Sequence, residues 1–76
     1  MVLRSRRRAL HKAIGQRVVV HTTDDRTLDG VLAGVWPEYL ALAHASLLQP
    51  GDLSDVPLGG DVLILRDNVS LVQVAP

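Results

Sequence analysis

The sequence has no cysteine and no phenylalanine, and its only aromatic residues are Trp36 and Tyr39. Without cysteine there is no disulfide, no thiolate metal site and no thiol nucleophile. With two aromatics among 76 residues, the core has to be built from Val, Leu, Ile and Ala. Long apolar runs are missing as well. No stretch approaches the roughly 20 residues a bilayer-spanning helix needs, so no membrane contact is expected. A basic N-terminus is present, but no apolar segment follows it in the manner of a secretory signal. Together with the lack of cysteine this reads as a cytoplasmic protein. What remains is aliphatic: 47% of residues are apolar, which excludes a disordered tail. At 76 residues the chain is one domain, small enough that its stability rests on a compact core, on partners, or on both.

The formal net charge is zero, which conceals an asymmetry. Arg4, Arg6, Arg7, Arg8 and Lys12 place five positive charges in the first fourteen residues, without one acid. Arg17, Arg26 and Arg66 stand against all the acids of the remainder. Such a cluster is either a solvated helix face or an electrostatic footprint for nucleic acid.

Residues 5–14 read as a short helix. Ser5 suits the N-cap, and Gly15 suits the left-handed residue that ends a helix. Leu3, Leu10 and Ile14 fall on one side at helical spacing, with Arg4, Arg8, His11 and Lys12 on the other. From Gln16 the period becomes that of strands. RVVVHT is rich in β-branched residues, and TDDR has turn chemistry. TLDGVLAGVW extends to Pro37, with Gly30 and Gly34 inside it, where glycine marks bends or bulges. YLALAHASLL runs back after a tight corner at Pro37 and Glu38. QPGDLSDVPLGG is a loop. DVLIL and VSLVQV, joined by a turn at RDN, complete five strands. Short consecutive strands with glycine bends predict a mainly β fold, an N-terminal helix followed by a small, strongly bent antiparallel barrel over about residues 16–75. The expected core comprises Ile14, Val18, Val20, Leu28, Leu32, Leu42, Val62, Ile64 and Val72.

That organisation, with these residues, resembles the Sm and Sm-like (LSm, Hfq-like) family over about residues 5–75. VVVHTTDDRTLDGVLAGVWPEYLALAHA follows the spacing of the family's first motif without a gap, with Gly30, Leu32 and Gly34 matching and Val35 in the hydrophobic place. LILRDNVSLVQV is similar to the second motif, with Arg66, Asn68 and Val69 in matching places. The resemblance implies a single Sm-like domain over 1–76 that assembles into a homo-oligomeric ring of about six or seven subunits. It also implies RNA as a partner. Family members that bind RNA use an Asp and an Asn from the first motif and an Arg from the second as a uridine pocket. Here the Asp place is Trp36 and the Asn place is Leu40. The place that often stacks on the base is Glu38, and the glycine after the arginine is replaced or deleted at Asp67. Only Arg66 is kept, so the implied pocket is degenerate.

Trp36 reads as a base-stacking surface or as a plug at the corner or a subunit contact, with packing the first expectation. Tyr39 reads as a substitute stacking surface or as a buried residue. Arg66 reads as a phosphate or base contact, or as a partner of Asp67 or of a neighbouring subunit. His11, His21 and His44 lack zinc spacing, and Asp52 and Asp55 lack calcium-loop spacing, so no metal or cofactor is expected. No phosphate-binding glycine loop or serine elbow occurs, so no enzymatic activity is expected. The reading is therefore an RNA-associated ring that binds through a basic helix face, with Arg4, Arg6, Arg7, Arg8 and Lys12 as main contacts and Arg66 and Tyr39 behind them. The alternative is a structural or assembly ring without a nucleic-acid role.

Overall fold

The structure is a computed structural model, in which residues 8–51 and 53–75 are described. Residues 8–12 are helical and 13–15 form a turn, so the regular helix stops two residues short of Ile14. The expected start at Ser5, the face position Leu3 and the residues Arg4, Arg6 and Arg7 lie outside the described residues. Gly15 ends the turn at φ +90°, the left-handed conformation that a side chain disfavours. Its N–H donates to Leu32 O (2.8 Å), and Leu32 N–H donates to Gln16 O (3.0 Å), so the turn feeds directly into the first strand pair.

Among the described residues six strands follow: β1 Arg17–Thr22, β2 Thr27–Val35, β3 Tyr39–Leu48, β4 Val56–Pro57, β5 Val62–Leu65 and β6 Val69–Val74. A single 3-10 turn, Arg66–Asn68, joins β5 to β6. The two-residue β4 was not expected. It lies in the predicted loop and pairs Pro57 with Ser46 and Val56 with Leu47. The Pro, Gly, Asp and Ser of that loop give no strand signal, and the pairing depends on the exposed edge of β3. All pairings are antiparallel, in the order β4-β3-β2-β1-β6, with β5 also on β3.

Two bulges produce the bend. Between the pairs Asp29–Ser46 and Val31–Ala43, β3 carries one more residue than β2. The surplus falls at His44, whose φ is +51°. Between Leu32–Leu42 and Gly34–Ala41 the surplus is on β2. An extra residue in one strand forces curvature and added twist. Gly30 faces the first bulge, where a Cβ would stand 3.0 Å from Ala43 O and 3.1 Å from Ala45 Cα. The bends thus fall beside the two glycines that the sequence singled out. Because β3 turns at the bulge, its first half pairs with β5 and its second half with β4.

The curled sheet encloses Val18, Val20, Leu28, Leu32, Leu42 and Ile64, all expected in the core. Val62 and Val72 are half-buried against it. Ile14 is a correction: it is 40% exposed, and Ala13 is buried in its place. The helical register ends before Ile14, so the turn rotates it out and Ala13 in. Leu40, Val35 and Ala45 join the core unannounced. The strongly bent sheet buries side chains on consecutive positions (Leu40, Ala41 and Leu42) where a flat strand would alternate.

His44 offers a direct test of the bulge. A left-handed backbone is tolerable for histidine but a true outlier for a β-branched residue. His44→Val is therefore expected to destabilise by about 1–2 kcal/mol, although the side chain is exposed, whereas His44→Gly should hold or raise stability. Urea denaturation at one fixed protein concentration checks this. Equal stability of the two variants would mean that the positive φ is not what the bulge requires.

Candidate functional site

The corner between β2 and β3 gathers the residues of interest. Trp36 follows the last residue of β2, and its N–H donates to Tyr39 O (2.9 Å), closing a tight turn around Pro37 and Glu38. The closure brings the two aromatic rings together: their centroids are 4.7 Å apart and their planes differ by 18°. Offset stacking of this kind adds about 0.5–1.5 kcal/mol beyond the area buried. Gly34 makes room for it. A Cβ at Gly34 would fall 2.5 Å from Cζ3 of the Trp36 indole. The glycine that fits the first motif therefore has a second use here, as the seat of the tryptophan.

Arg66 approaches from the end of β5. Its backbone N–H donates to Glu38 O (2.8 Å), which extends the β3–β5 ladder past the pair Tyr39–Leu65. Its guanidinium Nη1 donates to the carbonyl of Trp36 (3.0 Å). No ion pair joins it to Asp67 among the described residues, so that expectation for Arg66 is replaced by a backbone contact. Arg66 thus locks the corner while keeping a positive charge beside it.

The result is a cleft of about 230 Å³ lined by His11, Val35, Trp36, Pro37 and Arg66. A second, more open groove under the helical turn is lined by Ala9, Leu10, Leu40, Arg66 and Val72, among others. Arg66 borders both. The helical turn that carries Arg8 and Lys12 therefore sits over the same end of the barrel as Arg66, with Arg8 and Lys12 both exposed. His11 belongs to this cleft, although its spacing from the other histidines gave no hint of a site. His21 is elsewhere, 3.0 Å from Gln73 Oε1, and His44 is at the bulge.

Of the two readings of Trp36, the structure bears on packing. Trp36 packs on Tyr39, yet it is 44% exposed, so it is not a buried plug of this chain. Tyr39 is half-buried behind Trp36 and forms no wall of the cleft. Leu40, at the place of the family's Asn, is fully buried, with its side chain among the core leucines and valines. Of the two places where the resemblance implies polar residues, one, Leu40, is core and the other, Trp36, is a partly exposed aromatic. The acidic turn after β1 is separate. There a hydrogen bond from the Thr22 hydroxyl, aided by the Arg26 charge, holds the Asp24 carboxyl below its ordinary range.

The two outer edges of the sheet are also exposed. β5 and β6 are consecutive in the chain, but they lie on opposite ends of the curled sheet and do not pair with each other. Leu63 and Leu65 on β5 are 62% and 59% exposed, and Leu71 and Val74 on β6 are each 49% exposed.

Comparison with solved structures places this architecture. A heptameric archaeal Sm protein superposes with a TM-score of 0.81 at 23% identity, covering 91% of this chain and 98% of the other. The Sm protein of Pyrococcus abyssi, solved in complex with a uridine heptamer, gives 0.78 at 23% identity over 90% of this chain and 94% of the other. A chain of the NatC complex bound to CoA gives 0.72 at 30% identity over 87% and 83%. No protein-family model and no curated protein sequence matches the chain. By fold the chain is an Sm-like protein, as its two motifs led one to expect. Among the described residues no helix is long and apolar enough to cross a membrane.

Proposed function

We propose that this chain closes into a homo-oligomeric ring and associates with RNA through the end of the barrel that bears its basic helix. Assembly is supported by the edges of β5 and β6. Each presents leucine or valine beside unpaired backbone, a combination that invites pairing with another chain. The two edges differ, so β5 of one subunit meets β6 of the next. Such a head-to-tail contact closes into a ring when the rotation divides a full turn. An archaeal Sm protein that superposes on this chain is heptameric, in keeping with this reading.

The RNA reading rests on one observation: the helical turn of Arg8 and Lys12 lies over Arg66 and Trp36, so charge and stacking surface share one end of the barrel. Ring closure would repeat the cluster around one face. Arg4, Arg6 and Arg7 extend it in sequence. Phosphate contacts attract and position a strand without reading its bases, whereas base-edge contacts carry sequence information. With the Asp and Asn places occupied by Trp36 and Leu40, uridine selectivity is not expected. The complex of the Pyrococcus abyssi protein with a uridine heptamer shows RNA binding by the same fold at low identity.

The test is binding of short single-stranded RNAs across a salt series. Affinity is expected to fall with a log–log slope of about −0.7 per phosphate neutralised. Replacing Arg4, Arg6, Arg7 and Arg8 with serine should remove most of the binding and flatten that slope. Tight, uridine-selective binding that survives the serine variant would overturn the proposal. A second reading, a structural piece of a larger assembly, is favoured by the 30% identity to a chain of the NatC complex. It predicts no RNA binding at low salt and no nucleic acid carried through purification.

A further inference from the structure

We infer that the Trp36 indole, backed by Tyr39 and flanked by Arg66, is a base-stacking platform that favours purines over uridine. This inference rests on the RNA reading above and specifies its ligand.

Four observations lead there. Trp36 is the largest apolar side chain in the protein, yet 44% of it stays accessible. Leaving an indole in water forfeits burial that a small aliphatic core would otherwise gain. The ring is also held in place. Tyr39 stacks on it at 4.7 Å, and the Trp36 backbone is fixed on both sides: its main-chain N–H donates to Tyr39 O (2.9 Å) and its main-chain carbonyl accepts from Arg66 Nη1 (3.0 Å). A surface fixed before binding loses little freedom when a ligand arrives.

The cleft beside the indole has about 230 Å³, below the roughly 300–1,000 Å³ of ordinary small-molecule pockets, a size for one ring system. The side chains on its walls that can meet a base edge are His11 and Arg66, and N–H donors of that kind find acceptor atoms on purines and pyrimidines alike. No carboxylate or amide side chain lines it, and the Arg66 guanidinium is bonded to the Trp36 carbonyl. Because such donors do not single out one base, discrimination falls mainly to stacking strength, which is sequence-tolerant but not uniform. A bicyclic base covers more of a bicyclic indole than a pyrimidine does. The Arg66 charge and the basic helical turn supply the attraction for the phosphates on either side.

Because Trp36 is the sole tryptophan, its fluorescence reports on the site alone. The full chain is titrated with fluorescein-labelled adenosine and uridine nonamers at fixed low salt. Anisotropy reports total binding, and unlabelled nonamers are used for tryptophan emission. The expected result is quenching of Trp36 emission by oligoadenosine and about a 3–10-fold affinity advantage of oligoadenosine over oligouridine. Trp36→Leu should abolish that advantage and keep the salt-sensitive remainder. Trp36→Phe should retain part of it. RNA binding with no change in emission, equal affinities for the two nonamers, or a purine advantage that persists in Trp36→Leu would each overturn the inference while leaving the RNA reading intact. Absence of binding to both nonamers would overturn the RNA reading and this inference with it. The emission measurement needs no variant, so a failure of Trp36→Leu to fold leaves the test decisive.

Discussion

Leu40→Asn, which puts an amide where the family resemblance implies one, is expected to lower stability by about 3–5 kcal/mol without creating a base pocket. Leu40 is fully buried between Val35 on β2 and Ile64 on β5 in the strand ladder. The substitution removes aliphatic contacts and leaves an amide in a core where no polar side chain is otherwise buried among the described residues. A single small domain holds about 0.05–0.15 kcal/mol per residue, so the loss is a large share of the total. The midpoint of thermal unfolding should fall by about 15 °C or more. Trp36→Asp, the companion reversion, should cost only about 1 kcal/mol, because the indole is partly exposed and loses mainly its stack on Tyr39. Calorimetry of both variants at one protomer concentration decides the matter, since assembly itself shifts apparent stability. If Leu40→Asn unfolds near the wild-type temperature and gains uridine affinity, the corner is a dormant pocket and not a rebuilt one.

Charges at the sheet edges should break the ring. Leu63 on β5 and Leu71 on β6 are among the most exposed leucines of the described residues, and in the proposed ring their edges meet across every subunit boundary. Leu63→Asp together with Leu71→Asp places like charges on both sides of each contact. It also removes the apolar area that holds them. The expected outcome is a shift from a multi-subunit ring to monomer, read by light scattering or native mass spectrometry at micromolar protein. Leu63→Asp with Leu71→Lys puts opposite charges on the facing edges and should recover assembly in part, in a salt-sensitive way. Circular dichroism guards against the trivial result, because both side chains lie outside the core. A wild-type chain that is already monomeric, or a double-aspartate variant that still assembles, would remove the basis for the ring.

At the corner between β2 and β3, motif match and local environment part company. Val35 fits its motif place and is buried as a hydrophobic residue should be. Leu40 and Trp36 break the motif in opposite directions. The sequence alone says only that the polar groups are absent. Whether a pocket has been lost, filled or remade depends on which way the side chains point, and that follows from how β3 curls against β5. Arg66 illustrates the same limit. Its guanidinium could be assigned from sequence to phosphate, to Asp67 or to a neighbour. Its bond to the Trp36 carbonyl links positions thirty residues apart, which no local pattern reveals.

Most of the strand framework was legible beforehand. β1, β3 and β6 coincide with RVVVHT, YLALAHASLL and VSLVQV, because β-branched and alternating apolar residues in short runs have few other uses. The two bends were legible from Gly30 and Gly34, since glycine inside a strand often marks a bend or bulge. The sequence by itself also determined the aliphatic core, the absence of covalent staples, and the concentration of positive charge at one end. Tertiary structure decided the rest. It stopped the helix before Ile14 and buried Ala13 instead, and it recruited Val56 and Pro57 as a strand because β3 offered an edge. It brought His11, Trp36 and Arg66, from three distant segments, around one cleft. Local periodicity encodes which residues prefer the interior. The meeting of segments far apart in the chain is set by sheet curvature and closure, which arise only when all the strands pack at once.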